Sequence, residues 1–137
     1  MEKTNALQGL SFTDNHGAVV PLSNFSGQPI LIVNTASKCG LTPQLEGLQK
    51  LYDDFSPKGL VVIGFPCDQF AHQEPGDDKQ IEEFCQLNYG VSFLLSTKVD
   101  VNGKNTHPVF AYLKEQAGGL LGSTIKWNFT KFLVGKD

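Results

Sequence analysis

Pro29-Ile30-Leu31-Ile32-Val33-Asn34-Thr35-Ala36-Ser37-Lys38-Cys39-Gly40-Leu41-Thr42-Pro43 is the stretch that decides how this chain folds. Its first five residues are apolar without alternation, as in a strand covered on both faces at the centre of a parallel sheet. Its last two, Thr42-Pro43, have the form of a helix start, with threonine as N-cap and proline at the first helical position. Cys39 falls in the strand-to-helix turn between them. The unpaired N–H groups of a helix start, the helix dipole and the adjacent Lys38 all favour thiolate over thiol. That is how a cysteine becomes a nucleophile near neutral pH.

Downstream, Leu45, Leu48, Leu51, Tyr52 and Phe55 form a helical stripe over residues 43–55 that predicts a core-facing helix. Residues 60–65, Leu-Val-Val-Ile-Gly-Phe, predict a second buried strand. Strand, helix and strand make a right-handed βαβ unit. Its first strand ends at the Cys39 turn, and open α/β sheets carry their sites at that end.

Upstream, residues 10–13 and 18–21 flank Asp14-Asn15-His16-Gly17, a turn-rich tetrad that predicts an N-terminal β-hairpin. Residues 23–28 read as a loop, as do the polar residues 66–76. Asp77 or Asp78 caps a helix running to about Asn88, with Ile81, Phe84 and Cys85 on one face. A short strand is expected over residues 98–101, turned by Asn102-Gly103. A third helix starts at Pro108, buries Val109, Tyr112 and Leu113, and ends at Gly118-Gly119. A last strand, bent near Asn128, is expected over residues 125–134.

The totals narrow the function. With 137 residues, 40% hydrophobic and 18% charged, the chain reads as one soluble globular domain, residues 1–137. A net charge of −3 gives no electrostatic case for nucleic acid or an anionic membrane. Three cysteines, with no CxxC pair, exclude a disulfide framework and a zinc ribbon. Cys67 and His72 have no second pair to complete a metal site, and Cys67 reads as a buried thiol at a strand end. No stretch has the form of a signal peptide or a membrane span, so the expected compartment is the cytoplasm. No cofactor or metal is called for.

Three segments together resemble the glutathione peroxidase family: Asn34-Thr35-Ala36-Ser37-Lys38-Cys39-Gly40-Leu41-Thr42; Gly64-Phe65-Pro66-Cys67-Asp68-Gln69-Phe70 with Gln73-Glu74-Pro75-Gly76; and Lys126-Trp127-Asn128-Phe129-Thr130-Lys131-Phe132. The resemblance implies a thioredoxin-like α/β fold, a mixed sheet flanked by helices, and reduction of hydroperoxides to water or alcohol. It puts Cys39 in the peroxidatic position and Gln73, Trp127 and Asn128 in the rest of the catalytic tetrad. Those types suit the chemistry, because two amides and an indole donate N–H groups to a thiolate and a leaving oxyanion without adding charge. Cys85, in Phe84-Cys85-Gln86-Leu87-Asn88-Tyr89-Gly90, matches the resolving cysteine of the thioredoxin-dependent branch. All eleven basic residues are lysines. Guanidinium forks, which grip carboxylates bidentately, are therefore absent, and thioredoxin rather than glutathione is the expected reductant.

The chain departs from the family at three places. Asp68 stands where asparagine is usual, Leu94 follows Phe93 where proline is common, and the expected final strand and helix are absent after Gly135-Lys136-Asp137. The last departure reads as C-terminal truncation, leaving an unpaired sheet edge and an uncovered apolar face. The expectation is a monomeric thiol peroxidase. The alternative is a redox relay that passes oxidation from Cys39 to a partner protein.

Overall fold

The computed structural model describes residues 9–36, 42–70, 76–118 and 129–135. Two strands, β1 (Ser11–Thr13) and β2 (Val19–Pro21), form the antiparallel N-terminal hairpin. The tetrad closes it as expected, because the Asp14 carboxylate accepts from the N–H groups of His16 and Ala18, each at 2.9 Å. Residues 23–28 are not simply a loop. Leu22–Phe25 form a 3₁₀ turn that buries Leu22.

Strands β3 (Ile30–Thr35), β4 (Val61–Pro66), β5 (Leu94–Leu95) and β6 (Lys131–Val134) make one sheet in the order β5-β4-β3-β6. β3, β4 and β5 run parallel, and β6 pairs antiparallel with β3. Every residue of β3 and β4 is buried, as their unbroken apolar runs require. Side-chain alternation divides β3 between two cores. Ile30 and Ile32 join Phe12, Leu22, Phe65 and Phe110 on one face, whereas Leu31 and Val33 join Leu45, Leu48, Ile81 and Cys85 on the other. Gly64 allows the second face to close: a Cβ there would lie 2.9 Å from Leu95 Cδ2 and 3.2 Å from Phe93 Cε1.

Helix α1 (Gln44–Phe55) connects β3 to β4 and completes the βαβ unit. Thr42 does not act as its side-chain cap. The hydroxyl instead donates to the Ala36 carbonyl at 2.8 Å, and the N-cap position, Pro43, makes no side-chain capping bond. The stripe is buried at Leu45 and Leu48, but Phe55 is 44% exposed, with the Lys58 ammonium 5.7 Å from its ring centre. Helix α2 (Asp78–Tyr89) starts with a full capping box, in which Asp77 accepts from Gln80 N–H and Gln80 accepts from Asp77 N–H. It ends at Gly90, whose φ of 63° is the left-handed conformation that glycine adopts freely.

Helix α3 (Pro108–Gly118) buries Val109, Phe110 and Leu113, while Tyr112 is only half-buried. Phe110 sits edge-on to both Phe65 and Phe132, which draws it inward. No strand forms over residues 98–101. The parallel partner of β4 is Leu94–Leu95 instead, and Asp100 makes only an isolated bridge to Thr106. The last strand is Lys131–Val134, the earlier part of the expected one lying outside the described residues. Leu133, on this outer strand of the sheet, is 71% exposed. Among the described residues no helix is long and apolar enough to cross a membrane.

Candidate active site

The carboxyl ends of β3 and β4 and the start of β6 meet at one end of the sheet, and a few hydrogen bonds fix them there. Cys67 N–H donates to the Thr35 carbonyl at 3.1 Å, which carries the β3–β4 pairing one step past the strands. The Thr42–Ala36 bond ties the start of α1 to the end of β3. Val99 N–H donates to the Pro66 carbonyl at 2.8 Å, and its neighbour Lys98 donates its N–H to the Asp78 carboxylate at 2.9 Å. The start of α2 is thereby held at the same end of the sheet.

Asn34 is the principal fastener. Fully buried at the fifth residue of β3, it accepts from Thr130 N–H through Oδ1 at 3.0 Å and from Phe129 N–H through its carbonyl at 2.6 Å. Phe129 has φ of 66°, the left-handed region that side chains rarely adopt. Such a conformation costs about 1–3 kcal/mol and persists only where the surroundings over-determine it. Asn34 and the apolar packing of Phe129 supply that constraint. Asn34→Leu should therefore lower stability by about 1–3 kcal/mol, because Thr130 N–H loses its acceptor. A lower urea midpoint at unchanged m-value checks this, whereas an unchanged midpoint would remove Asn34 as the fastener.

Cys67 is fully buried, and burial pushes its thiol pKa up, against the lowering effect of hydrogen bonds to the Gln69 and Val101 backbone. Burial thus favours the protonated thiol, in keeping with its strand-end position. The next residue, Asp68, helps to line an open cleft of about 590 Å³ with Lys98, Asp100 and His107. Burial pushes the His107 pKa down. Its Nδ1 accepts from Val109 N–H at 3.1 Å, which leaves the ring proton on Nε2. Thr35 Oγ1 is buried without a hydrogen-bond partner among the described residues.

Cys85 is 2% exposed and packs with Ile81, Val91, Phe93 and Leu95 beneath α2. Its carbonyl accepts from Val91 N–H at 3.2 Å, so the residue belongs to the helix's C-terminal cap. Cys39, Gln73, Trp127 and Asn128 lie outside the described residues. Of their described neighbours, Ala36 and Thr42 are bonded to each other at the end of β3 and the start of α1, and Phe129 N–H is bonded to the Asn34 carbonyl. Sequence reasoning passed over Asn34 as a functional support. Its signal was a polar residue directly after four apolar ones in a buried strand.

Residues 7–114 match the family model described as Glutathione peroxidase. Glutathione peroxidase from Lactococcus lactis is 54% identical over 122 residues, 89% of this chain and 78% of that protein. Glutathione peroxidase-like peroxiredoxin 2 from Saccharomyces cerevisiae is 53% identical over 135 residues, 98% of this chain and 83% of that one. Among solved structures, Trgpx in apo form superposes with a TM-score of 0.76 at 37% identity, covering 96% of this chain and 78% of that one. The fold is thioredoxin-like.

Proposed function

The chain belongs to the glutathione peroxidase family and is a peroxidase, and from this we propose that Cys39 is its peroxidatic residue and Cys85 its resolving one. The Cys39 thiolate attacks the terminal oxygen of a hydroperoxide and the O–O bond breaks. The alkoxide or hydroxide leaves and is protonated, and Cys39 becomes a sulfenic acid. The Cys85 thiol then attacks that sulfur, water departs, and a Cys39–Cys85 disulfide forms. Thioredoxin's dithiol reduces this disulfide by exchange, so each cycle turns one hydroperoxide into an alcohol and water and oxidises one thioredoxin. Gln73, Trp127 and Asn128 donate N–H groups to the thiolate and to the departing oxygen.

The observation that carries this reading is the meeting of the elements flanking Cys39, Gln73 and Trp127–Asn128 at the carboxyl end of β3 and β4. Three separate motif segments have neighbours held within one hydrogen-bonded frame. The lack of arginine and the second protein cysteine support thioredoxin as reductant. We place the enzyme in the cytoplasm as a monomer.

Thioredoxin-coupled consumption of hydrogen peroxide and of an alkyl hydroperoxide tests the assignment. Steady turnover with thioredoxin that exceeds turnover with glutathione is expected, and turnover with glutathione alone would overturn the choice of reductant. The donors make a separate prediction. Replacing Gln73, Trp127 or Asn128 with a similarly shaped non-donor should slow sulfenic acid formation, by up to about 10²–10³-fold if one acts as an oxyanion-hole donor does. Unchanged single-turnover rates in all three variants would remove the trio from the mechanism.

A further inference from the structure

We infer that the Thr35 hydroxyl sets how readily helix α2 opens to release Cys85, an inference that rests on the resolving role proposed above. Thr35 is the last residue of β3 and is 1% exposed. Buried polar side chains are as a rule hydrogen-bonded, and among the described residues the others follow it. Asn34 accepts from Thr130 N–H, Thr42 donates to the Ala36 carbonyl, Gln49 donates to Asp53 and Ser92, and Ser96 donates to the Thr97 carbonyl. Thr35 Oγ1 alone has no partner among the described residues. Valine, which differs by a methyl in place of the hydroxyl, suits a strand as well and would leave no polar atom unbonded. Threonine at this place therefore makes the packed form less stable than the backbone requires.

The residue lies on the face of the sheet that carries Cys85. Leu31 and Val33 point into the core beneath α1 and α2, and Thr35 follows them at the same two-residue spacing. Its methyl, Leu95 Cδ2 and Phe93 Cε1 converge over Gly64, at 3.3, 2.9 and 3.2 Å from where a Cβ would stand on that glycine. Phe93 and Leu95 belong to the same packed cluster as Ile81 and Cys85 of α2. One apolar bed thus holds both the thiol that has to leave and a hydroxyl without a partner. In the closed form that hydroxyl is cut off from water; once α2 lifts, water reaches it. The difference favours opening, by about tenfold for one unsatisfied buried group. Cys85 needs that opening to reach the Cys39 sulfenic acid, form the disulfide and release water. Attack of Cys39 on peroxide comes earlier and does not need it.

Thr35→Val and Thr35→Ser test this in opposite directions. In reduced protein, Thr35→Val should raise the urea midpoint and increase hydrogen-exchange protection of the Asp78–Tyr89 amides by about tenfold. The resolving step is read by rapid mixing with hydrogen peroxide, quenching with a thiol-alkylating agent and mass spectrometry. In Thr35→Val the Cys39–Cys85 disulfide should form about tenfold more slowly, with first-turnover peroxide consumption within about twofold of wild type. Thr35→Ser keeps the hydroxyl and should form the disulfide at least as fast as wild type, although loss of the methyl lowers its urea midpoint. A residue that only packs would not make the protein more stable and its resolving step slower in one and the same variant. A lowered midpoint, unchanged α2 protection or wild-type disulfide formation in Thr35→Val would overturn the role of Thr35 while the Cys85 assignment stands. A wild-type protein that forms no Cys39–Cys85 disulfide would overturn both.

Discussion

Cys39→Ser should abolish peroxide reduction, with the rate falling by more than about 10³-fold, as loss of a nucleophile does in enzymes whose groups act as a unit. A serine hydroxyl is not ionised near neutral pH, whereas a thiol beside Lys38 and a helix start is drawn towards its thiolate. The peroxide O–O bond is cleaved by a soft, charged nucleophile, and neither Cys67 nor Cys85 offers one. Cys67 is buried with its pKa pushed up, and Cys85 is packed beneath α2. Thioredoxin-coupled peroxide consumption measures the loss. Alkylation rate against pH, on the wild type, separates cause from coincidence: its midpoint should lie below about 8.5, an unperturbed thiol's value. Retained peroxide turnover in Cys39→Ser would overturn the nucleophile assignment.

Cys85→Ser should stop the cycle after one turnover, consuming one equivalent of peroxide and then none, because thioredoxin has no disulfide to attack. For Cys85 to resolve Cys39, as proposed, it must leave its buried place, so the step is a conformational one. Two sulfurs join only when their Cα atoms come within about 7 Å, and Cys85 is buried in a helix fastened along its length. The Asp77–Gln80 capping box holds its start, the His16–Glu82 pair at 3.2 Å ties it to the hairpin, and Gly90 closes its end. None of these fasteners is strong: a capping bond contributes about 1 kcal/mol, and the His16–Glu82 contact lies at the surface. Helix α2 should therefore open well below the cost of global unfolding, and formation of the disulfide traps the open state. Hydrogen exchange reads this directly. Amides of Asp78–Tyr89 should be protected in reduced protein, less so than those of β3 and β4, and should lose protection after peroxide. Equal protection in both states with the disulfide present would refute opening. Sustained thioredoxin turnover by Cys85→Ser would refute the resolver.

Much of the frame was legible in the sequence because it depends on neighbours along the chain. The unbroken apolar runs of β3 and β4 announced strands buried on both faces, Asp14-Asn15-His16-Gly17 announced the hairpin, and Asp77 announced the start of α2. Each is a local rule: a period, a cap or a turn. The misreadings came where a partner outside the local pattern decided. Thr42 has the type and place of an N-cap, yet its hydroxyl donates to the Ala36 carbonyl six positions back. Residues 98–101 alternate like a strand, yet β4 pairs with Leu94–Leu95, whose side chains close over Gly64.

By itself, then, the sequence determined the α/β class, the βαβ unit, the burial of Cys67 and Cys85 on apolar elements and, through its motifs, the family. Only the tertiary structure decided how the ends of those elements are held together. Asn34 binds Thr130 across 96 positions, and the Gln69 side chain bonds the Asn102 backbone across 33. No local pattern encodes such pairs. A buried amide can bond any backbone group within about 3 Å, and which group comes that close is settled only when the sheet has formed and its cores have packed.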